Sequence, residues 1–259
     1  MDAVRVSRHV FFLAAALLFA GSVAATILGC ASMSSMGVMP MPGGWTMSMA
    51  WMRMPGQTWA GAASMFLGMW VVMMVAMMLP SLIPMLWRYR EAVAANGARL
   101  GGLTAVVGAA YFVVWTAFGL AAFPIGVALS ALAMRQPELS RAVPVAIGLV
   151  VLGAGGLQLT AWKARRLECC REASDRTLPA DAATAWRHGV RLGLDCVRCC
   201  APLTAILLVI GVMDLRAMLV VTAAITIERL APAGPVVARA TGAVVIGAGL
   251  ILLARAVVG

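Results

Sequence analysis

Three methionine pairs separated by one residue, Met39 with Met41, Met47 with Met49 and Met52 with Met54, follow Met33 and Met36 in a stretch that also holds Pro40, Pro42, Gly43 and Gly44. The prolines and glycines predict a flexible loop with no apolar partner for its side chains. A thioether left in water gains little from burial, which removes the usual gap-filling reason for methionine. Thioethers are soft ligands that select Cu(I), and Met-x-Met spacing lets two sulfurs of one extended strand close on a single ion. Trp45 and Trp51 stand among them with ring faces that attract a cation. The competing reading of the loop is an adaptable surface for a protein partner.

A second set of sulfurs has helical spacing. Cys196, Cys199 and Cys200 fall at i, i+3 and i+4, which places three thiols on one helix face, a donor set suited to a soft metal ion. Arg198 is the expected positive neighbour of these thiols, and Cys169 and Cys170 form an adjacent pair earlier in the chain. A Cys-x-x-Cys also serves thiol oxidoreductases, but the thioredoxin-like strand-helix-strand pattern that accompanies it there does not occur. Between the two sets, Met65, Met69, Met73 and Met77 recur every four residues, with Met74 and Met78 on an adjoining stripe. Together with the loop they predict a ladder of soft sites leading from an outer surface toward mid-membrane. Pro80 and Pro84 are expected to bend or break that helix, leaving Ser81 and the freed carbonyls to line a polar pocket.

The elements that must position these sulfurs are membrane helices. The chain has 259 residues, 63% apolar and 12% charged, whereas soluble domains run at about 45–50% and about 25%. A span needs about 20 mostly apolar residues, and seven windows qualify: 10–29, 64–86, 103–123, 143–162, 197–213, 216–231 and 236–257. The sixth is short and carries Glu228 and Arg229, so a half-helix is the alternative there. The expected fold class is all-α, a polytopic transmembrane bundle of six or seven spans. Residues 1–30 would form an anchor helix, with a removable signal as the alternative reading. Residues 31–58 would form the Met-rich extracytoplasmic loop, and 59–259 the transmembrane domain with an inner loop at 163–191.

The net charge of +10 then reports orientation rather than nucleic acid. With the N-terminus in the cytoplasm, 15 of the 20 basic residues lie inside, and Arg53, Arg135, Arg141, Arg216 and Arg255 lie outside. Five of the six cysteines fall on the inner, reducing side, which argues against a disulfide framework. Glu228 needs a partner inside a span, and Arg229 is the local choice. Gln158 is expected to face the bundle interior. Only two histidines occur and no His–carboxylate set, so hydrolytic or oxygen-activating chemistry has no support and no enzyme activity is expected.

Several of these pieces occur in a recognisable order. Met74-Val75-Ala76-Met77-Met78-Leu79-Pro80-Ser81 is followed by Gly155-Gly156-Leu157-Gln158-Leu159-Thr160, Cys170-Arg171, Cys196-Val197-Arg198-Cys199-Cys200, Gly211-Val212-Met213-Asp214 and Glu228-Arg229-Leu230-Ala231-Pro232. Over residues 64–235 this order resembles the bacterial predicted metal-binding integral membrane proteins, long a domain of unknown function, one branch of which is an accessory copper chaperone for a tyrosinase. The resemblance implies a copper-handling protein of the bacterial inner membrane that helps metallate a copper-dependent client. It maps the motif sulfurs onto Met74, Met77, Met78, Cys170, Cys196, Cys199 and Cys200. Arg166 stands where that pattern has a further cysteine, and Arg198, Ala201 and Thr204 replace a glycine, a tryptophan and a methionine. The loop Met39 to Met54 lies outside the resembling region.

The expected function is therefore an integral membrane Cu(I) chaperone or assembly factor embedded in the lipid bilayer. Its metal ligands are expected among Met39, Met41, Met47, Met49, Met52, Met54, Met73, Met74, Met77, Met78, Cys170, Cys196, Cys199 and Cys200. The same sulfurs would also serve a copper permease. An assembly subunit without metal, using methionine for adaptable packing, and a membrane thiol oxidoreductase are the remaining readings.

Overall fold

A computed structural model describes residues 2–35, 37, 39–54, 56–94, 100–172 and 181–258, with the side chains of 2–5, 34–35, 94 and 169–172 outside the description. The described residues are almost entirely helical. Helices α1 (Asp2–Ser35), α2 (Trp59–Ala94), α3 (Leu100–Arg135), α4 (Pro137–Gln158), α6 (Ala182–Ile210) and α8 (Gly234–Val258) are long and apolar enough to cross a bilayer. The chain is a multi-pass membrane protein. The sixth window became α7 (Leu215–Leu230), whose 16 residues rise about 24 Å against a hydrocarbon core of about 30 Å.

Part of the segment expected as an inner loop is helical. Residues Ala161–Glu172 form α5, and 182–191 are the first turns of α6, capped by the Asp181 carboxylate, which accepts from the Thr184 amide at 2.8 Å. Of the two outcomes expected at the prolines, a break does not occur: α2 runs on through Pro80 and Pro84 to Ala94. Membrane helices tolerate proline in their interior, and between the two prolines the Ser81 hydroxyl donates to the Met78 carbonyl at 3.0 Å.

Helix α2 packs on α1, α3 and α7, and α6 packs on α3, α4, α5 and α7. Close approach at the α3–α6 crossing depends on Gly189, where a Cβ would collide with the Val107 carbonyl oxygen. Small residues at such crossings let membrane helices gain van der Waals contact in a solvent as apolar as themselves.

The Met-rich segment is not a free loop. Strands β1 (Met39–Pro40) and β2 (Thr46–Met47) pair antiparallel, and Gly43 and Gly44 take φ of +96° and +75° in the turn. The Trp45 indole donates to the Ser140 carbonyl at 3.0 Å, and the Ser140 hydroxyl donates to the Pro42 carbonyl at 3.0 Å. Trp51 lies where a Cβ on Gly126 would strike its ring, and its centroid is 5.1 Å from that of Phe66. The apolar partners that the sequence did not reveal are thus the tips of α3 and α4. Met47 is buried, while Met39, Met41, Met49, Met52 and Met54 are half-buried.

Candidate metal centre

The centre begins with α6. Cys196, Cys199 and Cys200 share its buried face, each at most 1% exposed, and the sulfurs of Cys196 and Cys200, one turn apart, stand 3.7 Å from each other. Helix α2 brings Met78, whose sulfur is 4.0 Å from that of Cys196. From α3 the buried Tyr111 hydroxyl donates to the Cys196 sulfur at 2.9 Å. From α7 the buried Arg229 guanidinium donates through Nη1 to the same sulfur at 3.0 Å and to the Ser81 hydroxyl at 2.9 Å, and through Nη2 to the Met85 sulfur at 3.1 Å. Four helices therefore meet on one thiol.

A second polar layer braces the first. Lys163 at the start of α5 forms an ion pair with Glu228 at 2.7 Å, both side chains 1% exposed. Its ammonium also donates to the Cys199 carbonyl at 2.7 Å, and the Gln158 amide donates to Glu228 at 2.7 Å. Buried charges persist only when paired and hydrogen-bonded, and here the pairing fixes α4, α5 and α7 against the cysteine face of α6.

This arrangement corrects three expectations. Glu228 is paired by Lys163 and Gln158 rather than Arg229, because adjacent helical residues point about 100° apart. Arg198 lies on the opposite face of α6, half-exposed and 3.6 Å from Asp195, so the cation at the thiols is Arg229. Lys163 and Arg229, assigned to the solvated inner surface, are buried in the bundle.

The methionines divide by depth. Met73, Met74, Met77 and Met78 are buried, whereas Met65 is 67% exposed and Met69 half-buried. A four-residue step overshoots a 3.6-residue turn, so the stripe winds from the outside of the bundle into it. The ladder is also interrupted. Phe66 and Trp70 are the buried aromatic residues of α2 between hairpin and sulfurs, and the Phe66 ring centroid lies 5.1 Å from that of Phe123 and 5.8 Å from that of Trp70. Among the described residues no three His, Cys, Asp or Glu side chains converge as a metal-holding set. The convergent soft donors at Cys196 are therefore a thiol, Cys200, and a thioether, Met78. Cys170 lies in the last turn of α5, with its side chain outside the described residues.

The family model described as PpoB2, copper chaperone, matches residues 67–252. The chain belongs to the PpoB2 copper chaperone family. No curated protein and no solved structure matches it. The matched span takes in every residue of the centre, from Met78 through Tyr111, Lys163 and Cys196 to Arg229, and leaves the methionine hairpin of this copper chaperone outside. An arginine within an apolar stretch was the available signal for Arg229. Tyr111 and Met85 carried none, since an apolar helix gives no hint of which of its residues meets a distant thiol.

Proposed function

We propose that this chain is an integral inner-membrane protein that holds Cu(I) as cargo on Cys196, Cys200 and Met78 and delivers it to a copper-dependent enzyme. The observation that carries the reading is the sulfur geometry around Cys196. For a metal–sulfur distance of about 2.3 Å, three sulfurs in a trigonal plane stand about 4.0 Å apart, and the separations here are 3.7 and 4.0 Å. Two thiolates and a thioether are the soft set that selects Cu(I) over harder ions. Two thiolates around one Cu(I) leave a net negative charge, and the Arg229 guanidinium, 3.0 Å from Cys196, supplies the compensating charge that a low-dielectric site requires.

Arg8, Arg88, Arg165, Arg187 and Arg191 flank spans at one end, which supports a cytoplasmic N-terminus and an extracytoplasmic hairpin. Met39, Met41, Met49, Met52 and Met54 would then meet copper first, Met73, Met74 and Met77 would follow along α2, and Cys199 and Cys170 are further candidate thiol ligands. Copper analysis of the purified protein under reducing conditions tests the reading. One tightly held Cu(I) that disappears in Cys196→Ser and Cys200→Ser supports it, and unchanged copper in both variants refutes it. Delivery is tested by metallation of the client with and without the chaperone, and vesicles without client should show no copper flux.

A further inference from the structure

Away from the sulfurs, α1 and α3 both pack against α2 and leave an apolar groove of about 770 Å³ between them. Leu79, Leu82 and Leu86 form its floor, and its walls are lined by small residues such as Ala15 and Gly108. From Leu79 to Arg90 the groove follows eleven helical steps of α2, about 16 Å at the helical rise. One leaflet is half of a hydrocarbon core of about 30 Å, so the groove has the length of a single leaflet.

Its polar end holds Arg90, only 8% exposed. The guanidinium donates to the Ser7 hydroxyl at 2.7 Å and to the Thr104 hydroxyl at 3.3 Å, and it lies 5.0 Å from the Phe11 ring centroid. All three neighbours are neutral, and none of the ion pairs among the described residues includes Arg90. A buried cation is costly without an anion. The Thr104 hydroxyl gives its own hydrogen to the Leu100 carbonyl at 2.6 Å, so the donors left for an anion are the guanidinium and the Ser7 hydroxyl, a set that recognises phosphate.

We propose that this groove binds one anionic phospholipid, its phosphate on Arg90 and Ser7 and one acyl chain lying along α2 between α1 and α3. The charge decides between lipid classes, since an anionic lipid neutralises Arg90 while a zwitterionic one brings a second cation to the same end. The site is independent of the copper centre.

The test is native mass spectrometry of the full chain, delipidated and then offered equal amounts of phosphatidylglycerol and phosphatidylcholine with identical acyl chains. The wild type should retain one phosphatidylglycerol with about a tenfold preference, and Arg90→Gln should abolish the preference. A Cβ on Gly108 meets nothing within 4 Å and Gly108 lines the groove, so Gly108→Leu should extend into the groove and empty the site with Arg90 intact. Equal melting temperatures establish that both variants are folded. Equal retention of the two lipids by the wild type, a preference surviving Arg90→Gln, lipid retained by Gly108→Leu, or a second protein chain in place of the lipid would each overturn the assignment.

Discussion

At the residue scale the centre is an exchange of contacts that each helix alone leaves unmade. Cys196 can receive hydrogens from Tyr111 and Arg229 at 2.9 and 3.0 Å while facing two further sulfurs. Replacing Arg229 by Met keeps the bulk and removes the charge. A hydrogen bond to a charged group is worth about 1.5–3 kcal/mol, so Arg229→Met should weaken Cu(I) binding about ten- to a hundredfold in competition with a calibrated chelator, and Arg229→Lys should lose less. A second prediction concerns Glu228. Glu228→Gln strands the Lys163 ammonium, and breaking a buried pair from one side costs about 3–5 kcal/mol, to be seen as a lower midpoint of thermal unfolding in detergent. Glu228→Gln combined with Lys163→Met should recover much of that loss, and strict additivity of the two would show that the pair is not coupled. The cysteine face was legible because i, i+3, i+4 spacing needs only the helix. The arginine that meets it was not, because 33 residues and the turn between α6 and α7 separate Arg229 from Cys196.

At the scale of elements, what matters is how closely α6 approaches α3. Gly189 sits against the Val107 backbone, which cannot yield as a flexible side chain would. Gly189→Ala should therefore push α6 outward, with an overpacking cost of about 1–3 kcal/mol. It should also lower Cu(I) affinity, although residue 189 lies two turns from Cys196. The N-terminal end of α6 makes a different prediction. The Thr184 amide holds the Asp181 carboxyl below the usual carboxylate range, so the cap contributes stability above the ordinary Asp value of about 3.9 and loses it as pH falls through the lower folded value. The gap in unfolding midpoint between wild type and Asp181→Ala should be open at pH 7 and narrow on acidification below about pH 4. The long apolar helices were readable from apolar length, whereas α5 and the first turns of α6, polar in sequence, were not. The hairpin was not, because its packing partners, Ser140 and Gly126, lie in segments distant from it in sequence.

For the whole molecule, the order of layers decides how copper would travel. The half-buried methionines of the hairpin cap one end, Trp51, Phe66 and Trp70 follow, and the buried sulfurs of α2 and α6 come last. Charge asymmetry along the chain supports the proposed direction for this stack, while its aromatic interruption is a tertiary fact, since even spacing of methionines along α2 says nothing of which turn faces inward. An aromatic layer passes a soft cation less readily than a run of thioethers does, although indole faces attract it, so entry should be a kinetic step separate from storage. Replacing Met39, Met41, Met49, Met52 and Met54 together by Leu keeps volume nearly constant, and sparing the buried Met47 preserves the packing of β2. Stopped-flow transfer from a Cu(I) donor should then slow at least severalfold, with one copper per chain still reached at equilibrium and lost only on Cys196→Ser. A fall in stoichiometry with an unchanged rate would instead make the hairpin a storage site in its own right, independent of the thiols beneath it.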